Sequence, residues 1–329
     1  MKIKIISNIY ELDNICINDY KFDLYKYSNN HSNLISILKI FLISFRYDYI
    51  LLNCVAYDVI VLAFLKLICP INPCKLISMD IVLRAPTSFK DKIFQIIRII
   101  LFKRVYLFIE FFKNTSGYEK YFKIEKDKFK FVPFKVNSYE LIKETTITDQ
   151  GYIFCGGRSL RDFSTLIEAM RNLDFHAKIV TQSNSIIQQH GTFLNEDKLP
   201  ANIEIIRHDG NQKTFIKYIA ASKLVVIPLL KDTIAAAGIS VYLMSMALKK
   251  CTILSDLPGV IDVLGYDKAI VVPPEDPLSL RQAILRAYND DIYRRGFEIN
   301  GYKYAIELGG DRHLYNSIAE LILKDFAQK

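Results

Sequence analysis

The stretch that most constrains this chain is Ile227 to Asp256, IPLLKDTIAAAGISVYLMSMALKKCTILSD. Leu224-Val225-Val226-Ile227 is a β-branched run that stops at Pro228, and proline does not continue a central strand. The small residues Ala235-Ala236-Ala237-Gly238 follow. A helix is then predicted through Tyr242, Leu243, Met246 and Ala247. Ser240 is its expected cap, and Lys249-Lys250 fall in its last turn, where cations suit the negative end of the dipole. Cys251 to Leu254 is the next strand, closed by Ser255-Asp256. A helix entered through small residues turns free backbone N–H groups toward whatever lies above the sheet, which is a site for phosphate or another anion.

The same alternation runs along the whole chain. In the first part, strands are predicted at Lys2–Ile6, Tyr49–Leu52, Lys75–Met79, Val105–Ile109 and Phe129–Val132. Helices are predicted at Asn33–Phe45, Val59–Ile68, Ser88–Phe102 and Thr115–Tyr121. The polar stretch Asn137 to Gln150 breaks the pattern and reads as a boundary. Strands then recur at Tyr152–Cys155, Ala177–Thr181, Ile203–Ile206, Leu224–Ile227, Cys251–Leu254 and Ala269–Val272, with helices between and after them. This is the signature of an α/β chain with parallel, doubly wound sheets. Two domains are expected, 1–140 and 141–329, facing across a cleft, with the last helix free to cross back to the first.

Charge separates the two parts. Of the net +8, residues 1–150 carry +7 and residues 151–329 carry +1. A basic, Tyr- and Phe-rich first half suits an anionic membrane surface, with nucleic acid as the alternative; a genome rich in Lys, Ile, Asn and Tyr codons gives the same bias. The segment Ser88–Phe102 sets Ile93, Phe94, Ile96, Ile97 and Ile100 among Lys90, Lys92, Arg98, Lys103 and Arg104. That composition suits an interfacial helix, and equally one packed against a sheet. No signal peptide or membrane-spanning run is read. The six cysteines form no CxxC pair, so a reducing, cytoplasmic setting is expected, peripheral to the inner face of the membrane if the basic half docks there.

At this point residues 151–290 resemble the donor-binding domain of GT-B glycosyltransferases of the family 4 / group 1 type. GYIFCGGRSLRDFSTLIEAM is similar to that family's opening strand, Gly-Arg turn and following helix. SKLVVIPLL, AGISVYLMSMALKKCTILSDLPGVIDVL and AIVVPPEDPLSLRQAI are similar to its later segments, in the same order. The first half is similar only at its exit, YEKYFKIEKDKFKFVPFKVN, and lacks the family's usual glycine-rich loop after the first strand. The resemblance implies a GT-B fold of two Rossmann-like domains. It also implies transfer of a hexose from a nucleoside-diphosphate sugar, UDP- or GDP-linked, with retention of configuration and no bound metal or cofactor. A glycan precursor on a lipid carrier is the expected acceptor (lipopolysaccharide, O-antigen, capsule or exopolysaccharide), and no nucleic acid partner is expected.

The resemblance places Arg158 and Arg161 on the residues that grip the donor diphosphate. The chemistry is consistent, because a departing diphosphate gains negative charge that fixed cations stabilise. Gly156-Gly157 permits close backbone approach. Gly238, Ile239 and Ser240 are candidates for a second diphosphate clamp. Thr181, His208 and Asp209 lie at strand ends where the nucleobase is expected. The resemblance places the family's paired glutamates on Ala236 and Met244, or on Ala235 and Leu243 if the register slips by one; no carboxylate is available in either register, and Tyr242 or Asp256 is the candidate substitute. Asp80, at the end of a first-domain strand, is the candidate base toward an acceptor hydroxyl. Each of these residues also has an ordinary structural explanation, as a cap, turn or solvated charge. His31 and His313 read as surface residues. Two rivals stay open: a non-catalytic glycan-binding or scaffold protein, supported by the missing glutamates and the reduced first domain, and a GT-B nucleotide-sugar 2-epimerase, whose other catalytic carboxylates and histidines are not evident here.

Overall fold

The computed structural model describes residues 2–17, 20–28, 33–197 and 199–327; His31 lies outside them. The chain divides into two compact units, Met1–Pro133 with Arg312–Lys329, and Phe134–Asp311.

The first unit is built on a seven-stranded sheet. Its strands are β1 (Lys2–Ser7), β2 (Cys16–Ile17), β3 (Tyr20–Lys26), β4 (Tyr49–Asn53), β5 (Lys75–Met79), β6 (Leu107–Glu110) and β7 (Phe129–Phe131). The order is β2-β3-β1-β4-β5-β6-β7. All neighbours are parallel except the β2–β3 ribbon. β4 is buried along Tyr49–Leu52, as expected of a strand covered on both faces. β3 is absent from the sequence prediction. Its residues YKFDLYK are mostly polar or half-buried, and only pairing with β1 makes them a strand. The helix Asp311–Ala327 belongs to this unit, where Asp325 accepts hydrogen bonds from Lys75 at 2.7 Å and Tyr49 at 2.6 Å.

The second unit carries β8 (Ile153–Gly156), β9 (Ala177–Thr181), β10 (Ile203–Arg207), β11 (Leu224–Ile227), β12 (Cys251–Ser255) and β13 (Ile270–Val272). Every pair is parallel and the order is β10-β9-β8-β11-β12-β13. The chain leaves β8 in one direction and returns at β11 in the other. In such sheets ligands bind at that switch point, beyond the carboxyl ends of the strands. The core beneath is apolar and closed, with Ile153, Phe163, Leu166, Leu224, Val226 and Ile253 fully buried. Segment 137–150 is not wholly irregular, since Tyr139–Lys143 is helical.

Two local expectations are corrected here. The helix after β11 runs Ile239–Ala247 with Gly238 at its N-cap position, at φ 81, so Ser240 lies inside the first turn and caps nothing. Lys250 is not a solvated cation beside a helix end. It is 5% exposed, and its Nζ donates to the carbonyls of Thr148 at 2.8 Å and Ser222 at 2.6 Å.

Two sheets of this kind make a GT-B architecture of two Rossmann-like domains. Among the described residues, no helix is long and apolar enough to cross a membrane.

Candidate functional site

The carboxyl end of β8 leads into a turn shaped by two residues with positive φ, Gly157 at 115° and Leu160 at 57°. The turn is tied on both sides. Gly157 N donates to Val180 O at 3.3 Å, and Thr181 Oγ1 donates to Gly157 O at 2.8 Å. Leu230 N donates to Leu160 O at 3.1 Å and Asp162 N to Pro228 O at 3.0 Å. The phosphate-type turn after β8 is thus stitched to the segment that follows β11.

Arg161 is folded back under this turn. It is 3% exposed. Nε donates to Gly156 O at 3.0 Å and Nη1 to Ser159 O at 2.7 Å, while Nη2 has no hydrogen-bond partner among the described residues. A Cβ on Gly157 would stand 2.5 Å from Nη2, and one on Gly238 would stand 3.8 Å from both Nη1 and Nη2. The guanidinium therefore lies between the β8 turn and the start of the Ile239–Ala247 helix, which no side chain caps. Among the described residues no carboxylate pairs with it. Neighbouring Asp162 is occupied as the N-cap of Phe163–Met170, accepting from Thr165 N at 3.0 Å and Ser164 Oγ at 2.7 Å. Burial pulls the Arg161 guanidinium down to about 10, so it is charged at neutral pH. A buried, unpaired cation beside free helix N–H groups favours an anion strongly.

The strand ends next to β8 form a second group. His208 N donates to Thr181 O at 3.0 Å, and His208 Nδ1 accepts from Gly210 N at 3.0 Å. The His208 ring lies 5.3 Å from that of Phe215, and burial lowers its pKa. Gln182 comes beside them, its Nε2 3.2 Å from where a Cβ on Gly210 would be, and its buried Oε1 has no partner among the described residues. Asp209 is exposed and accepts from Asn211 N, a local turn bond.

The structure therefore brings Gly156, Gly157, Arg161, Thr181, Gly238 and the Ile239–Ser240 turn together, with His208 alongside. Thr181 acts through the turn, because its hydroxyl is bound to Gly157. Gly156 is required by packing: a Cβ there would come within 2.3 Å of the Phe154 ring. Arg158 is exposed. Tyr242 is corrected as a ligand residue, being 1% exposed with its hydroxyl donated to Gly259 O at 3.0 Å. Asp256 is exposed at the end of β12, two strands from β8. Met244 is buried at 3% exposure. Asp80 is in the other unit, at the end of β5 with φ 50, accepting from Cys54 Sγ at 3.0 Å. Among the described residues, no group of three or more His, Cys, Asp or Glu is placed to hold a metal ion.

Fold and topology define a GT-B protein whose second unit has its switch point between β8 and β11. Residues 154–290 match the family model described as Glycosyl transferases group 1. The fold is similar to sucrose-phosphate synthase (tll1590) of Thermosynechococcus elongatus, with 14% identity and TM-score 0.66 over 92% of this chain and 82% of that one. It is also similar to Anabaena Alr3699/HepE in complex with UDP, with 12% identity and TM-score 0.65 over 98% and 100%. A glycosyltransferase of Rickettsia africae gives 16% identity and TM-score 0.61 over 97% and 88%. No curated protein matches the chain by sequence.

Proposed function

We propose that this chain is a hexosyltransferase that moves a sugar from a nucleoside-diphosphate sugar to a glycan precursor on a lipid carrier, with retention of configuration. The second unit holds the donor and the first receives the acceptor. The observation that carries this reading is Arg161: buried, without a carboxylate partner among the described residues, its Nη2 close to Gly157 and to Gly238 at the start of the uncapped helix. A diphosphate fills that position and neutralises both the cation and the helix terminus. His208, Gln182 and Gly210 take the nucleobase. UDP in the HepE relative favours a uridine donor.

Membrane placement is part of the same proposal. The helix Phe89–Phe102 leaves Phe89, Ile93, Phe94, Ile96, Ile97 and Ile100 exposed. Lys103 and Arg104 follow it and line a cavity of about 720 Å³ together with Lys66, Lys75, Lys128 and Lys130. An apolar helix face beside a cluster of cations suits the surface of an anionic bilayer.

Ala236 and Met244, where the family resemblance expects carboxylates, favour a second reading: a protein that binds nucleotide-sugar or glycan without turning it over. One experiment separates the two. Melting temperature is followed against UDP, GDP, TDP and CMP and their sugars, together with diphosphate release. A ligand that binds only the folded state raises the melting temperature. A shift with release supports transfer; a shift without release supports the binding protein; no shift removes the donor site.

A further inference from the structure

β4, β5 and β6 are adjacent and parallel, and the helices Ala56–Ile68 and Phe89–Phe102 connect them in turn. The two helices pack against one another. A crossover helix runs antiparallel to the strands it joins, so both end at the amino edge of the sheet. That edge is opposite to the one where such sheets bind substrates. The cavity of about 720 Å³ opens there. It is bounded by the ends of both helices, the first residues of β5 and β6, the approach to β7, and the helix Asp311–Ala327. All its lining residues belong to the first unit.

Seven cationic side chains and two carboxylates line it. Asp325 is already taken, accepting from Lys75 at 2.7 Å, Tyr49 at 2.6 Å and Tyr106 at 2.5 Å. Lys66 Nζ donates to Asn72 O at 3.1 Å and Cys74 O at 2.6 Å. Lys128 Nζ donates to Lys103 O at 3.1 Å and Val105 O at 3.0 Å. Two carbonyls use two of an ammonium's three N–H groups, so each keeps one. Burial lowers the pKa of both, and the charges of Glu125 and Asp127 offset this only in part at Lys128. Lys103, Arg104, Lys130 and Lys324 are exposed and make no ion pair among the described residues. The helix dipole accounts for cations at three helix ends. It does not account for Lys128 and Lys130, which reach the same cavity from the approach to β7 and from β7 itself. Three helix ends carry about half a negative charge each, which leaves the cavity strongly positive.

Exposed apolar side chains run along both helices toward this rim: Phe64 and Ile68 on the first, Ile93, Ile96, Ile97 and Ile100 on the second. We propose that the cavity is the headgroup site of one lipid whose head is a phosphate monoester, the phosphate seated among Lys103, Arg104, Lys128 and Lys130 and the acyl chains lying along the two helix faces. This rests on the membrane placement proposed above and names the lipid chemistry it selects. A phosphate monoester carries close to two negative charges and three acceptor oxygens, which suits several converging N–H donors better than a singly charged phosphodiester does. The apolar rim is what favours a lipid over a free phosphate, because a soluble ion would leave those faces uncovered. Bound at the amino edge, such a lipid leaves the carboxyl ends of the strands free for substrate.

The test is sedimentation of the full chain with phosphatidylcholine vesicles that carry either phosphatidate, a phosphate monoester, or phosphatidylglycerol, a phosphodiester, matched in zeta potential. The native chain is expected to bind phosphatidate at about tenfold lower lipid concentration, the effect of one further charge-assisted hydrogen bond. Lys130→Gln with Lys324→Gln is expected to remove that preference. Both side chains are exposed and unpaired among the described residues, so the melting temperature should hold. Lys90→Gln with Lys92→Gln removes the same charge from the helix Phe89–Phe102 outside the cavity. It is expected to weaken binding to both lipids alike and to keep the preference. Equal binding of the native chain to the two lipids, or a preference that survives Lys130→Gln with Lys324→Gln, overturns the headgroup site while the membrane placement stands. No sedimentation with either lipid overturns both. Glycerol 3-phosphate, the same monoester without chains, separates the sources: it is expected to displace the chain from phosphatidate vesicles only far above the lipid concentration. Displacement at matching concentrations would make the ligand a soluble phosphate and overturn the lipid.

Discussion

Gly157 and Arg161 are fitted so closely that a single methyl group on the glycine would stand 2.5 Å from Nη2 of the arginine. The same glycine has φ 115, where a side chain is strained in any case. Gly157→Ala is therefore expected to cost about 1–3 kcal/mol of stability and to push the guanidinium out of its place. The check is paired: a lower melting temperature without ligand, and loss of the further rise on adding UDP. A variant that melts normally and still responds to UDP would show that the turn does not hold the donor.

The two arginines of the β8 turn are expected to separate. Arg161 is buried with one unpaired nitrogen, whereas Arg158 is exposed. A charge-assisted hydrogen bond is worth about 1.5–3 kcal/mol, so Arg161→Ala should weaken UDP binding by about ten- to a hundredfold. Arg158→Ala should weaken it by much less, since an exposed ion pair contributes about 1 kcal/mol or below. Isothermal titration with UDP on both variants decides the order, and equal losses would mean the diphosphate sits higher in the turn than Arg161 reaches.

What the sequence made legible followed from local pattern. The strand–loop–helix–strand stretch at Leu224–Ser255 and the parallel character of the second sheet were readable because buried strands announce themselves as β-branched runs, whereas the strand order was not. What was not legible depended on contacts distant in the chain. β3 looks polar until β1 pairs with it. Ser240 is a good cap by residue type, but the chain needs a left-handed residue two positions earlier, and Gly238 supplies it. Arg161 was readable as a candidate, yet its burial was not, because that depends on Gly157, Thr192 and the Leu229 bridge closing over it. The buried Glu110 was missed because the β6 strand was ended one residue early. A lone charge in YLFIEFF was the available signal.

Glu110 also predicts a pH dependence of stability with a definite sign. Burial, and then the charge of Asp80, raise its folded pKa well above that of the unfolded chain. The contribution is therefore fully present below the ordinary glutamate value of about 4.3 and is lost as pH rises through the folded value. Glu110→Gln, which mimics the neutral acid, should remove that part of the slope. Urea midpoints over the acid-to-alkaline range should fall less steeply in the variant than in the native chain. A variant with an unchanged slope would place the proton elsewhere.

Lys250 is expected to be a fixed structural group. Its Nζ bridges the carbonyls of Thr148 and Ser222 inside the second unit, and burial lowers its pKa. Lys250→Met keeps the stem but leaves the buried Ser222 carbonyl unpaired, at about 1–3 kcal/mol, while the more exposed Thr148 carbonyl can turn to water. Thermal unfolding should show a clear loss of stability, while the affinity for UDP, measured below the transition, stays as it was. A loss of affinity with full stability would instead move Lys250 into the binding site.

The Phe89–Phe102 helix carries the membrane proposal, and its two components can be tested apart. The apolar part is Phe89, Phe94 and Ile96, at 80%, 46% and 60% exposure. The charged part is Lys103 and Arg104, both exposed at the helix end. Each cation near an anionic surface contributes about 1 kcal/mol, so Lys103→Glu with Arg104→Glu should cut sedimentation with phosphatidylserine vesicles by well over tenfold. Raised salt should have a similar effect on the native chain, because the attraction is screened. Ile96→Asp should reduce binding at every salt concentration, since it removes buried apolar area. On purely zwitterionic vesicles the charge reversal should matter little. Sedimentation of all three proteins alike would show that this face is not the one that meets the bilayer, and that its apolar residues are covered by something other than lipid.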